Sequence, residues 1–140
     1  MTIPARRTEF QSIQCIRVDV AFNTPGLSGG LNFGSIPKDS ILLDVWYKVH
    51  TTFNAATTNA LTIGISTTAT EILDAATSGA SISETAGIPA VAVPLSTFDP
   101  RIAADTPLYI KFAQTGTVAT TGAATAVVRY AANLPAFIPV

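Results

Sequence analysis

The sequence predicts an all-β protein, a β-sandwich or jelly roll with at most one short helix. Three observations carry that expectation. Apolar residues recur with period two along several stretches, glycine and proline punctuate the chain between them, and only one stretch is suited to wind as a helix.

The longest alternating stretch runs from Ser40 to Phe53. Ile41, Leu43, Val45, Tyr47, Val49, Thr51 and Phe53 share one parity, and Asp44, Trp46, Lys48, His50 and Thr52 share the other, with Leu42 as the exception. In a strand, successive side chains point to opposite faces, so this pattern gives one core face and one outer face. A helix would mix Asp44, Lys48 and Val45 in one stripe, which buries poorly. An earlier strand is expected from about Ile13 to Phe22, with Ile16, Val18, Val20 and Phe22 facing in and Cys15, Arg17 and Asp19 facing out. Pro25-Gly26 and Gly29-Gly30 mark a long irregular connection, and Ile36-Pro37-Lys38-Asp39 reads as the turn into the long strand.

Asn54 to Asn59 is expected to be a hairpin loop leading to Leu61, Ile63 and Ile65, which alternate with Thr62, Gly64 and Ser66. Gly64 inside that strand predicts a bulge or a close neighbour. Thr68 to Ala76 is the helical candidate, with Thr68 or Thr70 as cap and Glu71 in the first turn. Ile88 to Val93 contains Pro89, which suits an edge strand because proline cannot donate to a central ladder. Leu108, Ile110 and Phe112 define another strand, Thr115 to Gly122 a hairpin tip, and Ala124, Ala126, Val128 and Tyr130 the returning strand. The whole chain, 1–140, reads as one domain with an N-terminal arm over about 1–11 and an extended, proline-rich tail over about 133–140.

Composition narrows the function. Eight Lys or Arg stand against nine Asp or Glu, and charged residues make up 12% of the chain, about half the usual share. No basic groove for nucleic acid is expected from this balance, and no apolar run is long enough for a membrane-spanning helix. The start of the chain, Met1 to Glu9, lacks the apolar core of a signal peptide. Cys15 is the only cysteine, which rules out an internal disulfide, fits assembly in a reducing cytoplasm, and leaves Cys15 expected as a small buried side chain.

Chemistry-bearing residues are sparse. His50 is the only histidine, no GxSxG elbow is present, and one His with one Cys makes a poor zinc set. Asp99 and Asp105 flank a short loop without the dense Asp/Asn spacing and glycine of an EF-hand, and Asp99-Pro100 reads as a turn opening. Gly26-Leu27-Ser28-Gly29-Gly30 lacks the lysine of a phosphate-binding loop. The expectation is a protein without catalytic residues, metal or cofactor. Trp46 on the outward parity, Phe10 in the arm, and Phe137 and Ile138 in the tail are the candidate interface residues.

The segment Gly34-Ser35-Ile36-Pro37-Lys38-Asp39-Ser40-Ile41-Leu42-Leu43-Asp44-Val45-Trp46-Tyr47-Lys48-Val49, followed by Phe53-Asn54 and Asn59-Ala60-Leu61-Thr62-Ile63-Gly64, resembles small structural proteins of tailed bacteriophages. Length, low charge and Thr/Ala richness are similar to the capsid cement, or decoration, proteins of Bordetella podophages. The resemblance is most specific from about Gly34 to Ser66. It implies a jelly-roll body that forms a homo-oligomer, a dimer, on the exterior of an HK97-type capsid, where it clamps neighbouring major capsid protein subunits against internal DNA pressure. It also implies a virion protein made in the bacterial host cytoplasm, with no catalytic residues to carry over. The competing expectations are a sugar- or receptor-binding β-sandwich of a phage fibre or tail, which would display clustered aromatics with Asp or Asn, and a hydrolase using distant carboxylates.

Overall fold

Seven strands alternate between two antiparallel sheets, so each consecutive pair of described strands lies in opposite layers. The computed structural model describes residues 12–73, 90–92 (backbone) and 98–132. The strands are β1 (Ile13–Ala21), β2 (Leu31–Ile36), β3 (Ile41–Thr51), β4 (Thr58–Gly64), β5 (Ala90–Ala92), β6 (Thr106–Thr115) and β7 (Ala123–Ala131). One sheet has the order β1-β7-β3-β5 and the other β2-β6-β4. The pairs β1/β7, β2/β6 and β3/β5 are nested about the middle of the chain, as in one long hairpin. Rolling that hairpin adds the pairs β3/β7 and β4/β6. The result is a jelly-roll sandwich.

The expected alternation holds along β1, β6, β7 and most of β3. Val45, Tyr47 and Val49 face the interior with Ala124, Ala126 and Val128 of β7, and Leu61, Ile63, Leu108 and Ile110 fill the layer from the other sheet. Phe53 and Phe112 meet with ring centroids 4.6 Å apart at 43°, a tilted contact worth about 1 kcal/mol beyond its area. The first part of β3 breaks the expected parity. Leu42 pairs with Tyr130 and Asp44 with Arg129, so Leu43 is an inserted residue, and beyond it the faces are exchanged. Leu42 is therefore buried, while Ile41 and Leu43 are exposed.

The two expected hairpins are arches that cross between sheets. The first joins β3 to β4 and the second joins β6 to β7, and the two are locked together. Asn54 accepts hydrogen bonds through Oδ1 from the N–H groups of Thr120 (2.8 Å) and Thr121 (3.0 Å). Thr57 N–H donates to the Thr115 carbonyl. Within the first arch, the buried Asn59 accepts from Ala55 N–H and donates to the Ala55 carbonyl, both at 3.0 Å. Alternation marks a strand's two faces but does not say which sheet holds the next strand, and for that reason the arches read as hairpins.

Two further expectations change. The connection after Pro25 is shorter than expected, because it contains a single 3-10 turn, Leu27–Gly29, and then β2. Gly34 interrupts the pattern of β2 because Ile16 packs over it, and a Cβ there would lie 2.9 Å from Ile16 Cγ2. Thr68 to Leu73 forms turns and a bridge to Ile63 in place of the helix, whose remaining residues 74–76 lie outside the described ones. Glu71 organises this turn. Its Oε2 accepts from Ile65 N–H (3.0 Å) and Thr70 N–H (3.1 Å), and its Oε1 accepts from the hydroxyls of Ser66 and Thr68. The close neighbour expected at Gly64 is this same turn, with Ala69 backbone 2.8 Å from where a Cβ would sit. β5 pairs with β3 at the end of its sheet, as Pro89 suggested. The arm over 1–11 and the tail over 133–140 lie outside the described residues.

Asn59→Ala removes both bonds to Ala55 and leaves its buried N–H unpaired, so it is expected to lower unfolding free energy by about 2–3 kcal/mol in chemical denaturation. Partial burial raises the Glu71 pKa, but the Ser66, backbone and Thr68 donors outweigh it and hold the carboxyl below 4.5. A folded value below the unfolded one stabilises the protein above the unfolded pKa and loses that contribution as pH falls through the folded value. Glu71→Gln should therefore be less stable than the parent at pH 7, with the difference shrinking below pH 4.5.

Candidate interface on the outer face of the four-stranded sheet

Because β7 pairs with β1 without interruption and with β3 through a bulge, residues far apart in sequence line up in rows on the outer face. At one end Ile13, Ala131 and Ile41 lie side by side, followed by Cys15, Arg129 and Asp44, then Arg17, Val127 and Trp46, then Asp19, Thr125 and Lys48. The face thus has an apolar row at one end and rows that mix charged and uncharged residues beyond it. The chain enters and leaves the sheet beside the first row, where Ala132 N–H approaches the Ser12 carbonyl.

Trp46 stands near the middle of this face, partly buried, with its backbone in register with Val127 on one side and Val91 on the other. Val127 points outward yet is buried. Two of the flanking cations, Arg129 and Arg17, are paired, whereas Lys48 has no ion-pair partner among the described residues. The Arg129 guanidinium grips the Asp44 carboxylate through Nε at 2.8 and 3.0 Å and through Nη2. Arg17 Nη2 reaches both oxygens of Asp19 at 3.0 Å. Asp19 also accepts the hydroxyl of Thr125, and Thr125 Oγ1 lies 2.8 Å from His50 Nε2. Hydrogen bonding from Thr125 and then from Arg17 holds the Asp19 carboxyl below the usual carboxylate range. A carboxylate only accepts, so the Thr125 proton goes to Asp19 and His50 Nε2 is the donor to Thr125. This puts the hydroxyl between acid and imidazole, the reverse of the order in which imidazole takes the nucleophile's proton. The network ties β1, β7 and β3 together.

The other sequence candidates separate from this face. Phe10, Phe137 and Ile138 lie outside the described residues. Cys15 is exposed, not buried, because its odd parity places it beside Arg129 on the outer face. Asp99 pairs with Arg101 at 2.9 Å, whereas Asp105 accepts from Lys38 N–H at 2.8 Å, so the two acids serve different turns. Among the described residues, no three His, Cys, Asp or Glu side chains group as metal ligands. The sequence reading missed Val127 and the Arg129–Asp44 pair. Their outward parity was visible, but their adjacency depends on the bulge at Leu43, which shifts the register by one.

No protein-family model matches the chain, and no curated protein matches it in sequence. Solved structures do match in fold. A chain of the cyanophage Pam1 capsid asymmetric unit superposes with a TM-score of 0.64 at 19% identity, covering 95% of this chain and 93% of that one. A chain of the acid-stable capsid of Helicobacter pylori bacteriophage KHP30 gives a TM-score of 0.62 at 14% identity, covering 87% and 90%. At these identities the likeness is one of fold, and it extends over nearly the whole of each chain.

A double-mutant cycle of Arg129→Ala and Asp44→Ala is expected to give a small favourable coupling in thermal unfolding that shrinks as salt is raised.

Proposed function

We propose that this chain is a virion structural protein that binds the outer surface of an HK97-type phage capsid and stabilises it by bridging major capsid protein subunits. The observation that carries the reading is the near end-to-end likeness to chains from two phage capsids. The resemblance of Gly34 to Ser66 to phage cement proteins supports the same reading from the sequence.

The proposed contact surface is the outer face around Trp46. A large aromatic flanked by two internal ion pairs, with the exposed Lys48 beside them, suits a contact in which the centre is desolvated and the rim stays polar. Charges that satisfy one another within the chain lose less on docking than unpaired ones. Repetition over a capsid lattice then turns modest individual contacts into firm attachment when copies are linked as a homo-oligomer, a dimer in this reading. The function requires interface area and stiffness, and the reading includes no catalytic role, cofactor, nucleic acid or membrane. The virion exterior is its proposed location.

Co-sedimentation of the purified chain with capsids stripped of it tests the proposal. Binding should saturate at a fixed ratio to the major capsid subunit and raise the capsid melting temperature. Trp46→Ala, checked for retained fold by circular dichroism, should weaken binding roughly 30-fold, as for an anchor worth about 2 kcal/mol. Absence of binding at every salt concentration would sink the capsid reading and bring a sugar- or receptor-binding module forward.

A further inference from the structure

The edges of the two sheets are not equally protected. On the outer side of β4, Ile63 and Leu73 exchange backbone hydrogen bonds and the Glu71 turn caps Ile65. β2 is six residues long and interrupted by a bulge between Asn32 and Gly34. β5 is three residues long. β1 differs from all three. It has nine residues, contains no proline, and pairs with β7 from Ile13 to Ala21 without a register shift. Phe22 N–H donates to Gly122 at one end and the Ser12 carbonyl accepts from Ala132 at the other, so the even-numbered residues face β7. The backbone groups of Cys15, Arg17 and Asp19 therefore point away from the sheet and have no partner among the described residues. Ala21, the next in that series, is occupied by Thr24. A long, regular edge of this kind is a template for another strand.

We infer that β1 pairs antiparallel with β1 of a second copy of this chain, joining the two four-stranded sheets into one. The side chains select the occupant and the register. On the outer face Arg17 and Asp19 are two residues apart and already form an ion pair. Placing Val18 opposite Val18 of the second copy sets Arg17 against Asp19 of that copy, and Asp19 against its Arg17. Four charges of alternating sign then meet, while Ile16 faces Val20 on the inner side. Opposite charges directly across a ladder stabilise it, and like charges oppose it. Sliding by two residues sets Arg17 against itself, and sliding by four sets Asp19 against Ile13. The edge is thus complementary to itself in one register, the requirement of a two-fold interface. This inference deepens the homo-oligomer in the proposed function and rests on that reading only for its purpose, since the pairing concerns the chain alone.

The test uses the full purified chain without capsids. Sedimentation equilibrium should give about twice the 14.5 kDa chain mass. Arg17→Asp should yield monomer, and adding Asp19→Arg should restore the dimer. Arg17→Pro, which removes an N–H aimed away from β7, should also yield monomer with the β1–β7 amides still protected from exchange. In a Cys15→Ser background, Val18→Cys should oxidise to a covalent dimer, because facing residues that are not hydrogen-bonded lie about 4.5 Å apart at Cα. Ile16→Cys in the same background should not. A parent chain that remains monomeric overturns the pairing, and protected Cys15, Arg17 and Asp19 amides in that monomer would show its own terminal residues on the edge. A dimer indifferent to Arg17→Pro and not cross-linked through position 18 overturns it as well. A dimer that fails to bind capsids defeats only the capsid reading, and a monomer that binds them defeats only this pairing.

Discussion

Strand β7 runs through the middle of the four-stranded sheet, between β1 and β3. It is held on both edges, by β1 in unbroken register and by β3 through two shifts. Its inward residues Ala124, Ala126 and Val128 are small and fully buried, which lets the two layers approach closely. Its outward residues Thr125, Val127 and Arg129 are the middle column of the proposed interface. One strand thus fixes the depth of the core on one side and the order of the surface rows on the other. A slip of one residue in its pairing would exchange those faces and bury Arg129.

Much of this was legible in the sequence because alternation reports directly on which side of a strand is dry. The parity of Val45, Tyr47 and Val49, of Leu108 to Phe112 and of Ala124 to Tyr130 placed these residues correctly. Cys15 shows how a general expectation can conflict with a local one. Cysteine is usually buried, but its parity with Arg17 and Asp19 put it outside, and parity prevailed. What could not be read depends on contacts distant in sequence. Nothing near Asn54 or Thr117 reveals that their loops meet each other, nor does the run Ile41-Leu42-Leu43 show that Leu43 is inserted. Glu71, placed early in a helix by its spacing from Thr68, instead gathers four donors around a turn at the sheet edge. Trp46 was picked out by parity and residue type, but its companions Val127 and Arg129 required the register.

The fold is one that two phage capsids use across nearly a full chain of this size. The outer face presents a tryptophan flanked by two ion pairs and Lys48, and the neighbouring edge presents Arg17 and Asp19. A face for docking beside an edge for pairing is a geometry by which a small, stiff protein can hold two larger ones at a set separation.

The capsid-docking role is decided by electron cryomicroscopy of the assembled virion at a resolution that traces strands. Jelly-roll density should lie on the capsid exterior, in fixed ratio to the major capsid protein, with the Trp46 face turned toward the shell. A shell without such density, or jelly rolls whose Trp46 face looks out into solvent, would contradict that role.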